Sequence, residues 1–265
     1  MSVTDQHMTL TCAGIPIASL SPVDAVSKII WLAKAPLQTG IDVHLCNAYS
    51  LALADRDPHL HRVLSRAKIN LADGTPVVWA NRALHRGQEV PKQRVRGPSL
   101  FHDVFERGQD VGVRHYLLGS TPAVLDALST NLAAKYPKAE IVGLDSPPFR
   151  SLTDVEQIEQ VDRIKACDPD IVWVGLGTPK QDFECARLAS QMNRVVIAVG
   201  AAFDFAAGTK DEAAEWVQRS GLEWAHRLAH EPRRLWRRYL FGNTRFVRAA
   251  TRRRPVGLLD DPDGA

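Results

Sequence analysis

The chain has 265 residues, room for one large α/β domain or a domain with an appendage, and its 45% hydrophobic and 24% charged residues are ordinary globular values that exclude a disordered or fibrous chain. No run approaches the roughly 18 apolar residues of a membrane span. Ten arginines and one acid, Glu231, fall between His226 and Arg254, so of 33 basic and 30 acidic side chains the rest of the chain holds 23 and 29, a net of −6 against +9 for that stretch. The basic character is therefore local and calls for a local partner.

The start, "MSVTDQHMTL", has neither the basic n-region nor the apolar core of a secretory signal. Cys12, Cys46, Cys167 and Cys185 are scattered and form no C-x-x-C pair, which fits reduced thiols in a cytosolic protein. "DVHLC" (42–46) reads as a strand, with helical "AYSLALADRD" after it. "AKINLA" (67–72) predicts a strand and "TPVVWANRAL" a helix; "RHYLLG" (114–119) is a strand, and "TPAVLDALSTNLAAKY" a helix capped by Thr121 with Pro122 in its first turn. "AEIVGL" and "DVEQIEQVDRIKACD", then "DIVWVGLG" and "PKQDFECARLASQM", repeat the strand–helix pair, and "RVVIAVG" (194–200) ends the series. This alternation predicts a Rossmann-like, mostly parallel sheet with helices on both faces. After about Gly208 no further strand is predicted: "DEAAEWVQRSGLEWAHRLAH" is helical, Pro232 interrupts, and "RRLWRRYLF" resumes. The expected division is an α/β core over 1–208, a helical basic appendage over 209–254 and a flexible tail over 255–265.

In parallel sheets ligands bind beyond the carboxyl ends of the strands, so the chemistry is expected there. "NLADGTP" places Asp73 just past a strand, either as a helix N-cap or as a general base aimed into the crevice. "LLGSTP" puts Gly119, Ser120 and Thr121 where backbone N–H groups and a helix N-terminus hold a phosphate, or where an ordinary tight turn would sit. "VGLGTPKQD" is a second such turn, with Gly177 and Gln181. It is neither a Walker loop nor a dinucleotide fingerprint, because Lys180 stands where the third glycine would be. "AFDFAAG" sets Asp204 between two phenylalanines, to cap backbone or to touch a ligand. "RVRGPSL" offers Arg94 and Arg96 as phosphate ligands or as surface charge. "DPD" (168–170) has the look of an Asp-x-Asp metal motif, but it precedes a strand and so falls at the opposite edge of the sheet. No His, Cys or carboxylate cluster has metal-ligand spacing, and no nucleophile elbow is visible.

Taken together, "NLADGTPVVWANR", "RVRGPSL", "YLLGST", "PDIVWVGLGTPKQD", "AFDFAAG" and "LEWAHRLAHEPRRLWRRYL" resemble the WecG/TagA/CpsF family of glycosyltransferases (glycosyltransferase family 26), over about residues 42 to 241. The resemblance implies a hexosyl- or N-acetylhexosaminyltransferase that moves a sugar from a UDP-sugar to a sugar on a polyprenyl-diphosphate carrier. Such products feed teichoic acid linkage units, enterobacterial common antigen or exopolysaccharide. It further implies inversion at the anomeric carbon, no metal and no cofactor, and a peripheral location on the inner face of the plasma membrane. By the same resemblance Asp73 is the base, Asn47, Arg94 and Gln181 lie near the donor, and arginines of a membrane-associating C-terminal appendage help close the site. The chain departs from the family in three places. Ala72 stands for the Pro before the D-G pair, "TKDEAAEW" for a short Arg-Ala-Pro stretch, and Asp182 for the Glu of K-Q-E.

At about 100° per residue, Arg233, Arg234, Arg237 and Arg238 fall on one side of a helix and Leu235, Trp236, Tyr239 and Leu240 on the other. This is the pattern of an interfacial helix, and also of one that docks its apolar side on protein. Each arginine on an anionic leaflet contributes on the order of 1 kcal/mol, and a lipid-diphosphate acceptor requires the enzyme to meet the membrane. Arg227, Arg234, Arg237 and Arg238 are thus the acceptor and membrane candidates, with a homo-oligomer left open. Two other classes compete. A nucleic-acid-binding module would use the basic tail but lacks base-stacking and groove-reading motifs, and a non-catalytic sugar-nucleotide binder would have no use for Asp73. The expected chemistry is a direct displacement: Asp73 takes the acceptor hydroxyl's proton while Arg94, helix N-termini and Gly119, Ser120, Gly177, Gln181 and Asp204 hold the donor.

Overall fold

The computed structural model describes residues 8–212 and 232–253, the latter with side chains from Gly242 onward. Eight strands form one sheet in the order β1-β2-β4-β3-β8-β7-β5-β6. β1 (Thr9–Cys12) and β2 (Ile15–Ala18) make an antiparallel hairpin at one edge. β3 (Ile41–Cys46), β4 (Ile69–Ala72), β5 (Arg114–Gly119), β6 (Glu140–Asp145), β7 (Ile171–Gly175) and β8 (Val195–Ala198) run parallel, with β6 at the far edge. The expected mostly parallel α/β sheet is what the chain forms; the hairpin that extends it was not foreseen.

The helices are α1 (Pro22–Lys34), α2 (Ala48–Ala54), α3 (Pro58–Arg66), α4 (Thr75–Leu84), α5 (Gly97–Gly108), α6 (Pro122–Lys135), α7 (Asp154–Ala166), α8 (Lys180–Gln191), α9 (Ala202–Ala206) and α10 (Pro232–Arg252). Local chemistry sets their starts. Ser21, Asn47, Asp57, Thr121 and Thr153 each accept a backbone N–H of the first turn through the side chain, which satisfies donors that the helix itself cannot. Asp57 followed by Pro58 closes the pattern of α2 and opens α3 as a separate helix.

Leu117, Ile171, Trp173, Val195 and Ile197 point to one face of the sheet, against α1, α5 and α6. Leu118, Val172, Val174 and Ala198 point to the other, against α7 and α8. The alternation is the period of two that strands impose. A third cluster joins the hairpin to α2, α3 and the last turns of α10: Ile15, Ile17, Leu51, Leu60 and Leu64 pack with Phe246, Ala249 and Ala250. There Arg252 and Arg253 pair with Asp55 at 2.7 and 3.3 Å, and Arg253 also meets His61. Two of the ten tail arginines therefore serve in tethering the helix to the core. No described helix is long and apolar enough to cross a membrane.

The order of connections creates one switch point. From β3 the chain moves outward to β4, then crosses to β5 and returns inward through β7 to β8, which pairs with β3 on its other side. The crevice above the carboxyl ends of β3 and β8 is where such a fold places its ligand.

Candidate active site

Five neighbouring strands, β4, β3, β8, β7 and β5, deliver candidate residues to this edge, across about 19 Å at the usual strand spacing. Asp73 follows β4. Its backbone N–H donates to the Cys46 carbonyl at 2.9 Å, which fixes it beside the end of β3. Gly74, not Asp73, takes the N-cap position of α4, and no side chain caps that helix. The half-buried Asp73 carboxylate is thus not spent on the helix that follows it. Asn47 is next to it: a Cβ on Gly74 would lie 3.7 Å from the Asn47 Cβ. Asn47 Oδ1 accepts the N–H groups of Tyr49 and Ser50 at 3.0 and 3.1 Å. The capping leaves its amide Nδ2 as the group with a hydrogen bond to offer.

The loop carrying Arg94 and Arg96 is pinned to the same place, because Val95 N–H donates to the Ala72 carbonyl at 2.8 Å. Arg94 is half-buried and Arg96 is 8% exposed. On the other side of the crevice, Gln181 is 4% exposed, and its Oε1 accepts the Gly177 N–H at 3.0 Å. A Cβ on Gly177 would meet nothing within 4 Å, so the turn faces open space. Gly119 has φ +124°, and a Cβ there would come within 2.6 Å of the Gly175 carbonyl. Only glycine lets β5 and β7 end this close together. Ser120 follows at φ +64°, a left-handed conformation that costs a non-glycine residue roughly 1 kcal/mol. Its carbonyl accepts the Ser146 hydroxyl at 2.8 Å, and Thr121 then caps α6. Asp204 pairs with Lys210 at 2.6 Å, while its carbonyl takes the N–H groups of Thr209 and Lys210.

Nothing in the sequence reading marked the layer below. His44, fully buried in β3, has Nδ1 3.0 Å from Asp182 Oδ1 and Nε2 3.2 Å from Asp42 Oδ2. Both ring nitrogens face carboxylate oxygens, and only a doubly protonated ring donates to both. Burial alone would lower the imidazole pKa, but hydrogen bonds and charge from Asp182 and Asp42 outweigh it and hold it at about 9. The Asp42 carboxyl feels the same contest: burial raises it, but His44 and the Lys68 N–H outweigh that and hold it below its ordinary value. The signal available in sequence was the i, i+2 pair Asp42 and His44 on one strand face; Asp182 stood out only as a departure from K-Q-E. This network ties α8, directly after Gln181, to the middle of β3. A raised folded-state value means that its stabilisation is fully present below about 6.5, the unfolded value, and lost as pH rises through about 9. Thermal unfolding scans should show the melting temperature falling between pH 7 and 10, with His44→Gln flattening that slope. An unchanged slope in the variant would mean that another group titrates.

"DPD" lies at the opposite edge, as its place before β7 implied. Asp168 pairs with Arg114 and Arg194 at 2.7 and 2.5 Å, and Asp170 with Lys34 at 3.0 Å. Among the described residues no group of three His, Cys, Asp or Glu side chains could hold a metal ion. The four cysteines are unbridged, with Cys12, Cys46 and Cys185 buried. Of the tail candidates, Arg227 lies outside the described residues, as do 213–231, most of the first predicted tail helix, and the predicted tail 255–265. Arg234, Arg237 and Arg238 belong to α10, of which only the backbone is described at those positions.

The chain matches known proteins in two comparisons. A 188-residue stretch, 71% of the chain and 70% of the relative, is 29% identical to an N-acetylglucosaminyldiphosphoundecaprenol N-acetyl-beta-D-mannosaminyltransferase of Bacillus spizizenii. The family model of the glycosyl transferase WecG/TagA/CpsF family matches residues 10–257, from the first hairpin strand past the end of α10. A match of that span takes in every strand of the sheet and every described residue at its carboxyl edge, and the chain belongs to the WecG/TagA/CpsF glycosyl transferase family.

Proposed function

We propose that the protein transfers a sugar, with inversion, from a UDP-sugar to a hydroxyl of an N-acetylglucosamine-type sugar on a polyprenyl diphosphate, in cell-surface polysaccharide synthesis. The observation that carries this reading is the convergence of Asn47, Asp73, Arg94, Gln181, Asp204 and the two phosphate-type turns on one carboxyl edge, about the β3/β8 switch point. The family assignment and the relative, named for action on a lipid-diphosphate-linked acceptor, support it.

In this mechanism the acceptor hydroxyl attacks the anomeric carbon from the face opposite UDP while Asp73 takes its proton. The bond to the UDP oxygen breaks, and the charge that develops on the diphosphate is met by Arg94 and by backbone N–H groups of the turns at Gly119–Ser120 and Gly177. Asn47 Nδ2, beside Asp73, orients the donor sugar or the acceptor hydroxyl. The enzyme works peripherally on the inner membrane face, where arginines of α10 and Arg227 meet lipid phosphate.

The deciding experiment is a panel of UDP-sugars offered with a polyprenyl-diphosphate N-acetylglucosamine acceptor, read by product mass. A product one hexose or N-acetylhexosamine heavier supports the reading; no product with any donor, while RNA or DNA binds tightly, would overturn it. Turnover is also expected to survive EDTA, since arginine and backbone dipoles are assigned the role of a divalent ion. Loss of activity in EDTA with recovery on adding Mg²⁺ or Mn²⁺ would refute the metal-free form of the mechanism.

A further inference from the structure

Arg96 is nearly as buried as a core side chain, yet it is a cation at the mouth of the crevice. It follows Val95, whose N–H is bonded to the Ala72 carbonyl, and precedes Gly97, where a Cβ would come within 2.9 Å of Leu45 and 3.2 Å of the Val199 carbonyl. Arg96 thus sits over the ends of β3 and β8. Its guanidinium stands 5.7 Å from the Phe205 ring, with Nη1 3.4 Å from the Ser99 hydroxyl. Neither neighbour carries charge. A guanidinium cannot deprotonate to escape burial, so it needs an anionic partner.

Glu212 supplies one, with Oε2 3.1 Å from Arg96 Nη2. This carboxylate comes from the periphery, and its side chain is 31% exposed. The chain is brought there by Asp204, whose carbonyl accepts Thr209 N–H, Lys210 N–H and the Thr209 hydroxyl at 3.0, 3.2 and 3.0 Å. The Asp204–Lys210 ion pair closes the same turn, and Glu212 lies two residues on. A deeply held cation at the switch point is therefore met by a carboxylate on a short surface segment. The two charges differ in exposure: Arg96 is 8% exposed, whereas the Glu212 side chain is 31% exposed and already borders solvent.

We propose that Arg96 is a binding residue for the donor's diphosphate and that Glu212 is its resident counter-ion, which the diphosphate displaces. The inference rests on the UDP-sugar reading above. Arginine's planar fork suits either a carboxylate or a phosphate pair, so one can replace the other on the same nitrogens. Occupancy by Glu212 lowers the apparent affinity for the diphosphate by the fraction of molecules in which the pair is closed. The specificity consequence is that the diphosphate, more than the nucleoside, is the part of the donor whose binding this pair controls.

The test is calorimetric binding of UDP and of uridine to the full-length protein. Glu212→Gln is expected to tighten UDP by about three- to tenfold, with uridine unchanged. Arg96→Gln should weaken UDP on the order of tenfold or more and again spare uridine, and adding Glu212→Gln to it should have no further effect. If Arg96→Gln fails to fold, the surface variant Glu212→Gln still decides the matter. Wild-type binding of UDP with no tightening, or a weakening, in Glu212→Gln would overturn the exchange while leaving the transferase reading intact. Equal losses for UDP and uridine in folded Arg96→Gln would reduce Arg96 to a structural role. Wild-type protein that binds no UDP would sink the inference and the donor reading together.

Discussion

Asp73→Asn is expected to lower turnover by roughly 10²-fold or more while affinity for the UDP-sugar changes little. The carboxamide has the size of the carboxylate but cannot accept the acceptor's proton. The backbone at this position should keep its place. The position is fixed by a backbone bond to Cys46 and α4 takes Gly74 as its N-cap, so neither depends on the Asp73 carboxylate. A base is needed only as the hydroxyl attacks, and removing it should appear in kcat rather than in donor binding. Single-turnover rates with calorimetric donor affinity separate the two. Near-normal turnover would remove Asp73 from the role, and a collapse of donor affinity at preserved kcat would make it a donor ligand instead.

The second large effect concerns the membrane. Changing Arg234, Arg237 and Arg238 together to Gln should weaken binding to anionic vesicles by about 3 kcal/mol at low salt, at roughly 1 kcal/mol for each charge. That is a loss of about 150-fold. The positions share one side of α10 by the 100° rule, opposite Leu235, Trp236 and Tyr239. High salt should remove most of the wild-type advantage, because screening acts on exposed charge. Turnover on a lipid-linked acceptor should fall more than donor affinity. Unfolding of the triple variant would assign these arginines to structural ion pairs, the role that Arg252 and Arg253 play with Asp55. Unchanged vesicle binding with lost RNA affinity would give the tail to nucleic acid.

The six parallel strands β3 to β8 were legible because each is a short apolar run bounded by turn residues, the signature that parallel strands leave, and even the partly exposed edge strand β6 carries it. The hairpin was not, since four-residue strands at a sheet edge carry too little pattern to announce themselves. α5 was not predicted: it begins at Gly97, within "RVRGPSL", where only the two arginines were singled out. The site divides in the same way. Asp73, Gly119, Ser120, Gly177, Gln181 and Asp204 could be singled out because strand ends are visible in sequence and the fold class says that strand ends matter, whereas Asn47 came only with the family resemblance. His44 with Asp182, 138 positions apart, and Arg96 with Glu212 are pairings made by tertiary structure. No local pattern distinguishes an arginine that will be buried from one that will be solvated. "DPD" was placed correctly for a related reason: its edge of the sheet follows from strand direction alone, although the three cations that neutralise it come from distant positions.

The docking of α10 by its far end has a mechanical consequence. Phe246, Ala249 and Ala250 are clamped in the hairpin core, with Arg252 and Arg253 bolted to Asp55, so the helix is a beam built into the domain at its C-terminal turns. Arg234 rides about 18 Å along the axis from Phe246, at 1.5 Å per residue. A beam footed in this way sets both the height and the angular phase of whatever it carries, so the basic stripe cannot be aimed independently of the sheet. On the membrane reading proposed above, the standoff between lipid phosphate and Asp73 would be a length built into the protein, not one found anew at each encounter. Cutting the helix away would remove the beam and its footing in the core at once.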